Sequence, residues 1–406
     1  MPLQKTLDGC KLMPFVGLCL ALCTPFAARL LHLGAPPEAA MQTLAAWPSW
    51  HKLSLPQYFT GLDQWINHHY PLRLEVIRYH SYVKHRWLKA PANTVIVGDG
   101  GWLFYTGNRT TEDLLGQDRF SAAELEHWVQ AVRGRRAWLK QHGASHLLVI
   151  APNKSTIYPE VLPALLRLQR KPGKLDQLLA ALHQAGLGDD AVVDLRPRLL
   201  AEKARHICYW PTDSHWNAEG LLAVSDEIMG RLIALNLAKP HPEYQSLYRI
   251  EHLRREGDCV GILAMNGHWP AFDFSQVYLL PTTDSRIAKT TLSEVPRLAN
   301  ASIPAWAQPV AFERDSGQGR LVLLCDSFFR VGGLAPASVG LPPLSIHFKR
   351  FVSVWDWSDA NNLADFPTLK EIVTREHPDI VIEQFTERYL RTPPPDHPEF
   401  QKLLAR

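Results

Sequence analysis

Residues 320–328 read Arg-Leu-Val-Leu-Leu-Cys-Asp-Ser-Phe, an apolar run from Leu321 to Cys325 that stops at Asp326 and Ser327. Five consecutive apolar residues leave no polar face. Arg320–Cys325 is therefore expected as a strand buried on both sides, the pattern of a parallel sheet sheltered by helices. A serine directly past such a strand stands at the rim of the sheet, where its hydroxyl can meet a substrate and its N–H can face an oxyanion. It is equally an ordinary turn residue, so this segment speaks to the layers of the fold and leaves the chemistry open.

The same alternation extends in both directions. Further short apolar runs at 351–355 and 380–382 flank a helix expected at 367–376, and the last run leads into Gln384-Phe385-Thr386-Glu387-Arg388. Upstream, Ser121 and Glu124 form a capping box before a helix whose Leu125, Trp128, Val129, Val132 and Leu139 share one face. Gly143 closes that helix, and a strand at 146–150 runs into Ala151-Pro152-Asn153-Lys154. A helix at 174–185, a strand at 191–195 and a helix beginning near Asn217 complete the series. Strands alternating with helices predict an α/β sandwich with a mostly parallel central sheet and helices on both faces. Before it, Val95 to Tyr105 reads as a hairpin, because Asp99-Gly100 supplies the positive φ angles of a tight turn.

The 406 residues suffice for one large domain or two modest ones. Net charge is +3, with Lys and Arg spread along the chain. That argues against nucleic-acid binding, which needs a concentrated basic face to displace counterions from phosphates. Lys5 and Lys11 precede an apolar run over 12–28 that Leu30 and Leu31 extend. The basic residues put the N-terminus in the cytoplasm and export the remainder. No clean small-residue cleavage site follows, so an uncleaved signal anchor is expected. The resulting division is a cytoplasmic tip and anchor at 1–33, an aromatic-rich lead-in at 34–90, a catalytic domain at 91–395 and a tail at 396–406.

Cys208, Cys259 and Cys325 fall in the exported part, where an oxidising compartment permits one disulfide. Cys208 with Cys259 is the expected pair, with Cys325 buried at its strand end. The cysteines and histidines match no zinc spacing, so no metal site is expected; an organic cofactor is not expected either.

A second chemical segment is Pro211-Thr212-Asp213-Ser214-His215-Trp216-Asn217. Asp213 and His215 project to the same side if the backbone is extended. A serine hydroxyl needs a histidine to take its proton, and a carboxylate to fix the imidazole tautomer and stabilise its charge. That points to Ser327 as nucleophile, His215 as base and Asp213 as orienting acid, with Ser214 facing the other way. Read blandly, Asp213 is a helix cap and His215 one of eighteen histidines.

These residues carry a resemblance. Thr212-Asp213-Ser214-His215-Trp216 and Asp326-Ser327-Phe328 are similar to the T-D-x-H-W and D-S-F elements of the AlgJ/AlgX family of SGNH-hydrolase-like polysaccharide O-acetyltransferases. Stretches 95–105, 151–160 and 378–390 are similar as well. The Asp-x-His element precedes the serine, so the motif order looks circularly permuted relative to ordinary SGNH hydrolases. Two positions depart from the family pattern: Cys325 before the D-S-F element, and Gly257-Asp258-Cys259 in place of G-D-L.

The resemblance implies an acetyl transfer through Ser327 to hydroxyls of an exported, alginate-type polysaccharide. The enzyme would sit in the periplasm on its inner-membrane anchor, and a membrane-bound O-acyltransferase partner would supply the acetyl group. Lys154, Tyr158 and Arg388, at other strand ends, are candidate contacts to sugar or acyl donor, each with a structural role as the alternative. Asn217 is expected as a helix N-cap, with an oxyanion contact as the alternative. An esterase with the same triad and a non-catalytic polysaccharide-binding subunit are the rival functions.

Overall fold

The computed structural model describes residues 31, 45–51, 53–69, 73–87, 94–280, 282–295, 298, 308–330, 342–355, 365–391, 393–394 and 397–405. The expected anchor, but for Leu31, lies outside these residues. Among the described residues no helix is long and apolar enough to cross a membrane. The chain divides into two compact units, 1–90 with 261–269, and 91–260 with 270–406. In the first unit, helices α1 (Leu55–His69) and α2 (Arg73–Ser81) follow one another, and the Trp47 ring meets Trp65 of α1 edge-on at 4.8 Å.

The second unit carries all the described strands. In chain order they are β1 (Val95–Val97), β2 (Leu103–Tyr105), β3 (Ser145–Ala151), β4 (Val192–Asp194), β5 (Tyr248–Arg255), β6 (Phe272–Leu279), β7 (Ser285–Ala288), β8 (Val310–Arg314), β9 (Arg320–Cys325), β10 (Arg350–Trp355) and β11 (Ile380–Thr386). Its longer helices are α3 (Ala122–Gln141), α4 (Lys174–Gln184), α5 (Arg196–Lys203), α6 (Ala218–Ala234) and α7 (Phe366–Glu376). The central sheet runs β4-β3-β11-β9-β10-β8-β7. The first five strands are mutually parallel, and β8 and β7 close one edge antiparallel.

The apolar run around Leu323 explains the layers. Leu321, Leu323 and Cys325 face a core shared with Trp216, Leu221, Val224 and Ile228, while Val322 and Leu324 face a second core with Leu369, Ile372 and Val373. Alternation on a pleated strand thus buries both faces, α6 on one and α7 on the other. The helix starting after Ser121 forms through the capping box read from its sequence, with Glu124 N–H donating to Ser121 Oγ and the Glu124 carboxylate accepting from Ser121 N–H. Inside the sheet, Glu383 of β11 is buried between Arg135 Nη1 at 2.7 Å and His146 Nε2 at 2.9 Å. That pairing satisfies a charge that would otherwise be expensive to bury.

Register levels the strand ends. Ala151 pairs with Thr386 and Cys325 with Trp355, so the segments after β3, β9 and β11 emerge side by side at the carboxyl edge.

Three features differ from the sequence reading. Cys208 and Cys259 are separate buried thiols, so the expected disulfide is not formed. The Cys208 thiol instead points at the Leu199 and His206 carbonyls, and burial pushes it up to about 12. The tail region contains a helix, Pro398–Leu404, whose Phe400 packs where a Cβ on Gly134 would come within 2.5 Å of the Phe400 Cβ. Finally, β5–β6 and the β7–β8 edge went unread, because the apolar runs there are short and polar or charged residues flank them.

Candidate active site

Ser327 opens a short helix, Ser327–Arg330, directly after β9. The turn is held by Asp326, whose carboxylate accepts the N–H of Phe328 at 2.9 Å, the N–H of Thr386 at 2.7 Å and the Gln384 side-chain amide at 3.1 Å. The serine is thereby fixed to the neighbouring strand β11 rather than left on a free loop.

Asp213 and His215 lie in a small loop closed by a bridge between Tyr209 and Trp216. Asn217 N–H donates to the Cys208 carbonyl at 2.9 Å, and the Asn217 side chain caps α6 by accepting from Gly220 N–H at 3.0 Å. Trp216 Nε1 donates to the Phe328 carbonyl at 2.6 Å, which ties this loop to the serine turn. Asn217 therefore has the capping role, not the oxyanion one.

The three side chains form a continuous relay. His215 Nε2 is 2.7 Å from Ser327 Oγ, and His215 Nδ1 is 2.7 Å from Asp213 Oδ1. With the Nδ1 proton on the Asp213 side, Nε2 is free to accept from the serine hydroxyl. Burial pushes the Asp213 carboxyl up, but the His215 ring and the N–H groups of Asp258 and His215 outweigh it and hold it below the usual carboxylate range. A carboxylate so held stays ionised beside an imidazole that must become charged.

The other expected contacts divide. Lys154 is buried, and its ammonium donates to the carbonyls of Trp210 at 3.1 Å, Pro211 at 2.9 Å and Asp213 at 2.6 Å. Its donors are thus turned inward, toward the loop that carries Asp213. Tyr158 is buried too, its oxygen accepting the Cys208 N–H at 2.8 Å, so it packs beneath the loop instead of facing substrate. Arg388 does reach the site, its guanidinium lying 5.2 Å from the Phe328 ring and 5.0 Å from the Tyr105 ring. It borders a small recess with Phe104, Tyr105, Asn153, Lys154, Ser155 and Ser214. The Cys325 thiol lies 3.5 Å from Ser353 Oγ of β10, inside the sheet, and does not narrow the site.

Sequence reasoning missed the residues on the far side of the imidazole. Asp258 N–H donates to Asp213 Oδ2 at 2.9 Å, and the Asp258 carboxylate accepts from Ser214 N–H at 2.8 Å and Ser214 Oγ at 2.6 Å. The only hint was the Gly-Asp pair at 257–258, since 44 residues separate Ser214 from Asp258. Asp213, His215 and Asp258 bring ligand-type atoms within 4.8 Å of one another. A cation there would have to take Nδ1 from its bond to Asp213, so the donor set fits proton handling better than metal binding.

Comparison with known proteins gives consistent relatives. The family described as SGNH hydrolase-like domain, acetyltransferase AlgX, matches residues 95–296. The chain is 24% identical over 311 residues to the probable alginate O-acetylase AlgJ of Pseudomonas putida, covering 73% of this chain and 70% of that one. It is 26% identical over 238 residues to the probable alginate O-acetylase AlgJ of Pseudomonas aeruginosa, covering 58% of this chain and 55% of the relative. Among solved structures, the O-acetyltransferase domain of Pseudomonas putida AlgJ aligns with a TM-score of 0.49 at 18% identity, covering 77% of this chain and 99% of that domain.

Proposed function

Because this chain belongs to the AlgJ/AlgX-like, SGNH hydrolase-like O-acetyltransferase family, we propose that it acetylates hydroxyls of an exported polysaccharide through an acyl-serine at Ser327. The observation that carries the proposal is the relay with both its hydrogen bonds at 2.7 Å.

His215 Nε2 takes the Ser327 proton as Oγ attacks the carbonyl carbon of an acetyl donor. The imidazolium returns that proton to the departing donor oxygen. A sugar hydroxyl then gives its proton to Nε2 and attacks the acetyl-serine, and the imidazolium reprotonates Ser327 as the sugar ester leaves. Asp213 holds the ring and offsets its charge in both halves. Ser327 N–H, at the start of its helix, is the first candidate donor to the tetrahedral oxyanion, a contact worth about 3–4 kcal/mol. Arg388 borders the recess beside this relay and is the remaining candidate for a substrate contact.

Lys5, Lys11 and the apolar run that follows support a periplasmic location on an inner-membrane anchor. An acetyl donor made in the cytoplasm would then have to cross the membrane, which suits a membrane-bound O-acyltransferase as supplier. The test is incubation with an activated acetyl ester and a glycan acceptor. Acetylated glycan should form with the wild type and fall by at least about 10³-fold in Ser327→Ala. Acetate release without glycan acetylation would refute the transferase, and full activity in Ser327→Ala would refute the serine mechanism.

A further inference from the structure

We infer that Asp258 is a positioning residue of this relay, a second carboxylate that holds His215 from the side opposite Ser327; the inference rests on the serine mechanism just proposed. Three oxygens surround His215 Nδ1: Asp213 Oδ1 at 2.7 Å, Ser214 Oγ at 3.3 Å and Asp258 Oδ2 at 3.7 Å. Asp258 touches each of the first two groups. Its N–H occupies Asp213 Oδ2, which leaves Oδ1 for the imidazole. Its carboxylate takes both the N–H and the hydroxyl of Ser214, which fixes the residue between the two relay members.

The segment bearing Asp258 is matched to the loop at main-chain level. Gly257 N–H donates to Thr212 Oγ1 at 3.1 Å and Cys259 N–H to the Thr212 carbonyl at 3.2 Å. These bonds hold the Asp258 main chain beside the loop, and its bonds to Ser214 N–H and Oγ hold the carboxylate in place.

Charge completes the argument. The charged groups packed around the relay are Asp213 and Asp258 at the imidazole itself, Asp326 after β9 behind the serine turn, Lys154 after β3 and Arg388 after β11. Lys154 directs its donors at three carbonyls, and Arg388 lies across the Phe328 ring. The Cys259 thiol is kept neutral by burial. Close to Nδ1 the field is thus that of two carboxylates. One is buried; the other is about one-third exposed and partly screened by solvent. Both favour the imidazolium formed as Ser327 is deprotonated.

Hydrolysis of 4-nitrophenyl acetate by the full chain, measured across pH, tests this. Asp258→Asn retains an oxygen for Ser214 N–H and removes the charge. It should lower kcat/KM about tenfold, mostly through kcat. It should also move the acid limb of the profile about half a pH unit toward lower pH, because the imidazolium loses a stabilising charge. A role confined to folding would leave that limb in place. Ser214→Ala removes one bond and keeps the charge, so it should lower kcat severalfold with the limb unmoved. Wild-type kcat/KM and an unmoved limb in Asp258→Asn would overturn the inference. If Asp258→Asn does not fold, wild-type kcat in Ser214→Ala overturns it. Hydrolysis that does not depend on Ser327 would defeat the proposed mechanism itself, whereas Ser327-dependent hydrolysis indifferent to Asp258 defeats only this inference.

Discussion

Lys154→Met separates two accounts of the same residue. The ammonium donates to three main-chain carbonyls of the loop that carries Asp213 and His215. Hydrogen bonds from a charged donor contribute about 1.5–3 kcal/mol each, so the gross loss is about 5–9 kcal/mol. Two effects reduce it. Burying the ammonium costs several kcal/mol, as its lowered pKa indicates, and Met restores that. In addition, the Trp210 carbonyl still accepts Asp213 N–H, and the Pro211 carbonyl still accepts Leu103 N–H. The Asp213 carbonyl has no second donor among the bonds of the described residues. A net destabilisation of about 2–4 kcal/mol follows. At about 2 °C per kcal/mol for a domain of this size, Tm should fall about 4–8 °C.

The loosened loop also carries the base, so Ser327 should react at least about tenfold more slowly with a small sulfonyl fluoride that contains no sugar. Thermal unfolding and the rate of adduct formation by mass spectrometry read both effects. A sugar-binding lysine would give the opposite pattern: unchanged Tm, unchanged probe reactivity and a raised KM for glycan alone. That pattern would refute the inward role assigned here.

Gly257→Ala should impair the site while leaving all three relay side chains present. A Cβ there lies 2.5 Å from the Asp213 Cβ and from the Thr212 carbonyl, both tied down, so the loop must shift. Activity should fall about 10–100-fold with about 1–3 kcal/mol of destabilisation, and wild-type turnover would contradict the close packing. Glu387 predicts a pH effect on stability. Burial raises its carboxyl to about 7, although Asn153 N–H and the Thr156 hydroxyl donate to it. The unfolded chain releases this proton near 4.5 while the folded one keeps it to about 7, so its stabilising contribution is present below 4.5 and lost as pH rises toward 7. Urea unfolding of the wild type should therefore lose about 3 kcal/mol over that window relative to Glu387→Gln, and parallel pH profiles would contradict it.

What the sequence revealed follows from how each feature is written in it. Leu321 to Cys325 and the face carrying Trp128 and Val132 are local patterns, read from neighbours along the chain, and they appear as β9 and α3. The strand β5 mixes Arg and Glu among its apolar positions in a separate two-stranded hairpin, and β8 has only Val310 to Phe312 before Glu313 and Arg314, so no long run marks either. The candidate triad was readable because each member sits beside an element boundary. Lys154 was correctly placed at a strand end, but which way its side chain turns depends on three carbonyls more than 50 residues away. Position along the chain was legible; direction was not. The Cys208–Cys259 pairing failed for the same reason, since spacing carries no information about where two buried thiols point.

Direction, in turn, is what makes this site specific. Only Ser327 stands at the end of a sheet strand; Asp213 and His215 lie in a loop outside the sheet. Such a loop would ordinarily be the least precise place for a base, because nothing in its own backbone fixes it against the serine. Here three independent parts of the chain grip it: Lys154 after β3 from within, the 257–259 segment from the side, and Phe328 of the serine turn through Trp216. Two of those grips start from the carboxyl edge of the sheet that also carries Ser327, so one rigid frame sets both ends of the Nε2–Oγ distance. The third comes from beside β5, outside the sheet, and it is the one that brings a negative charge beside the imidazole. Lys154 holds the loop through its carbonyls, whereas Asp258 both holds it and sets a negative charge near Nδ1, which is why Lys154→Met should disturb the fold and Asp258→Asn the pH profile.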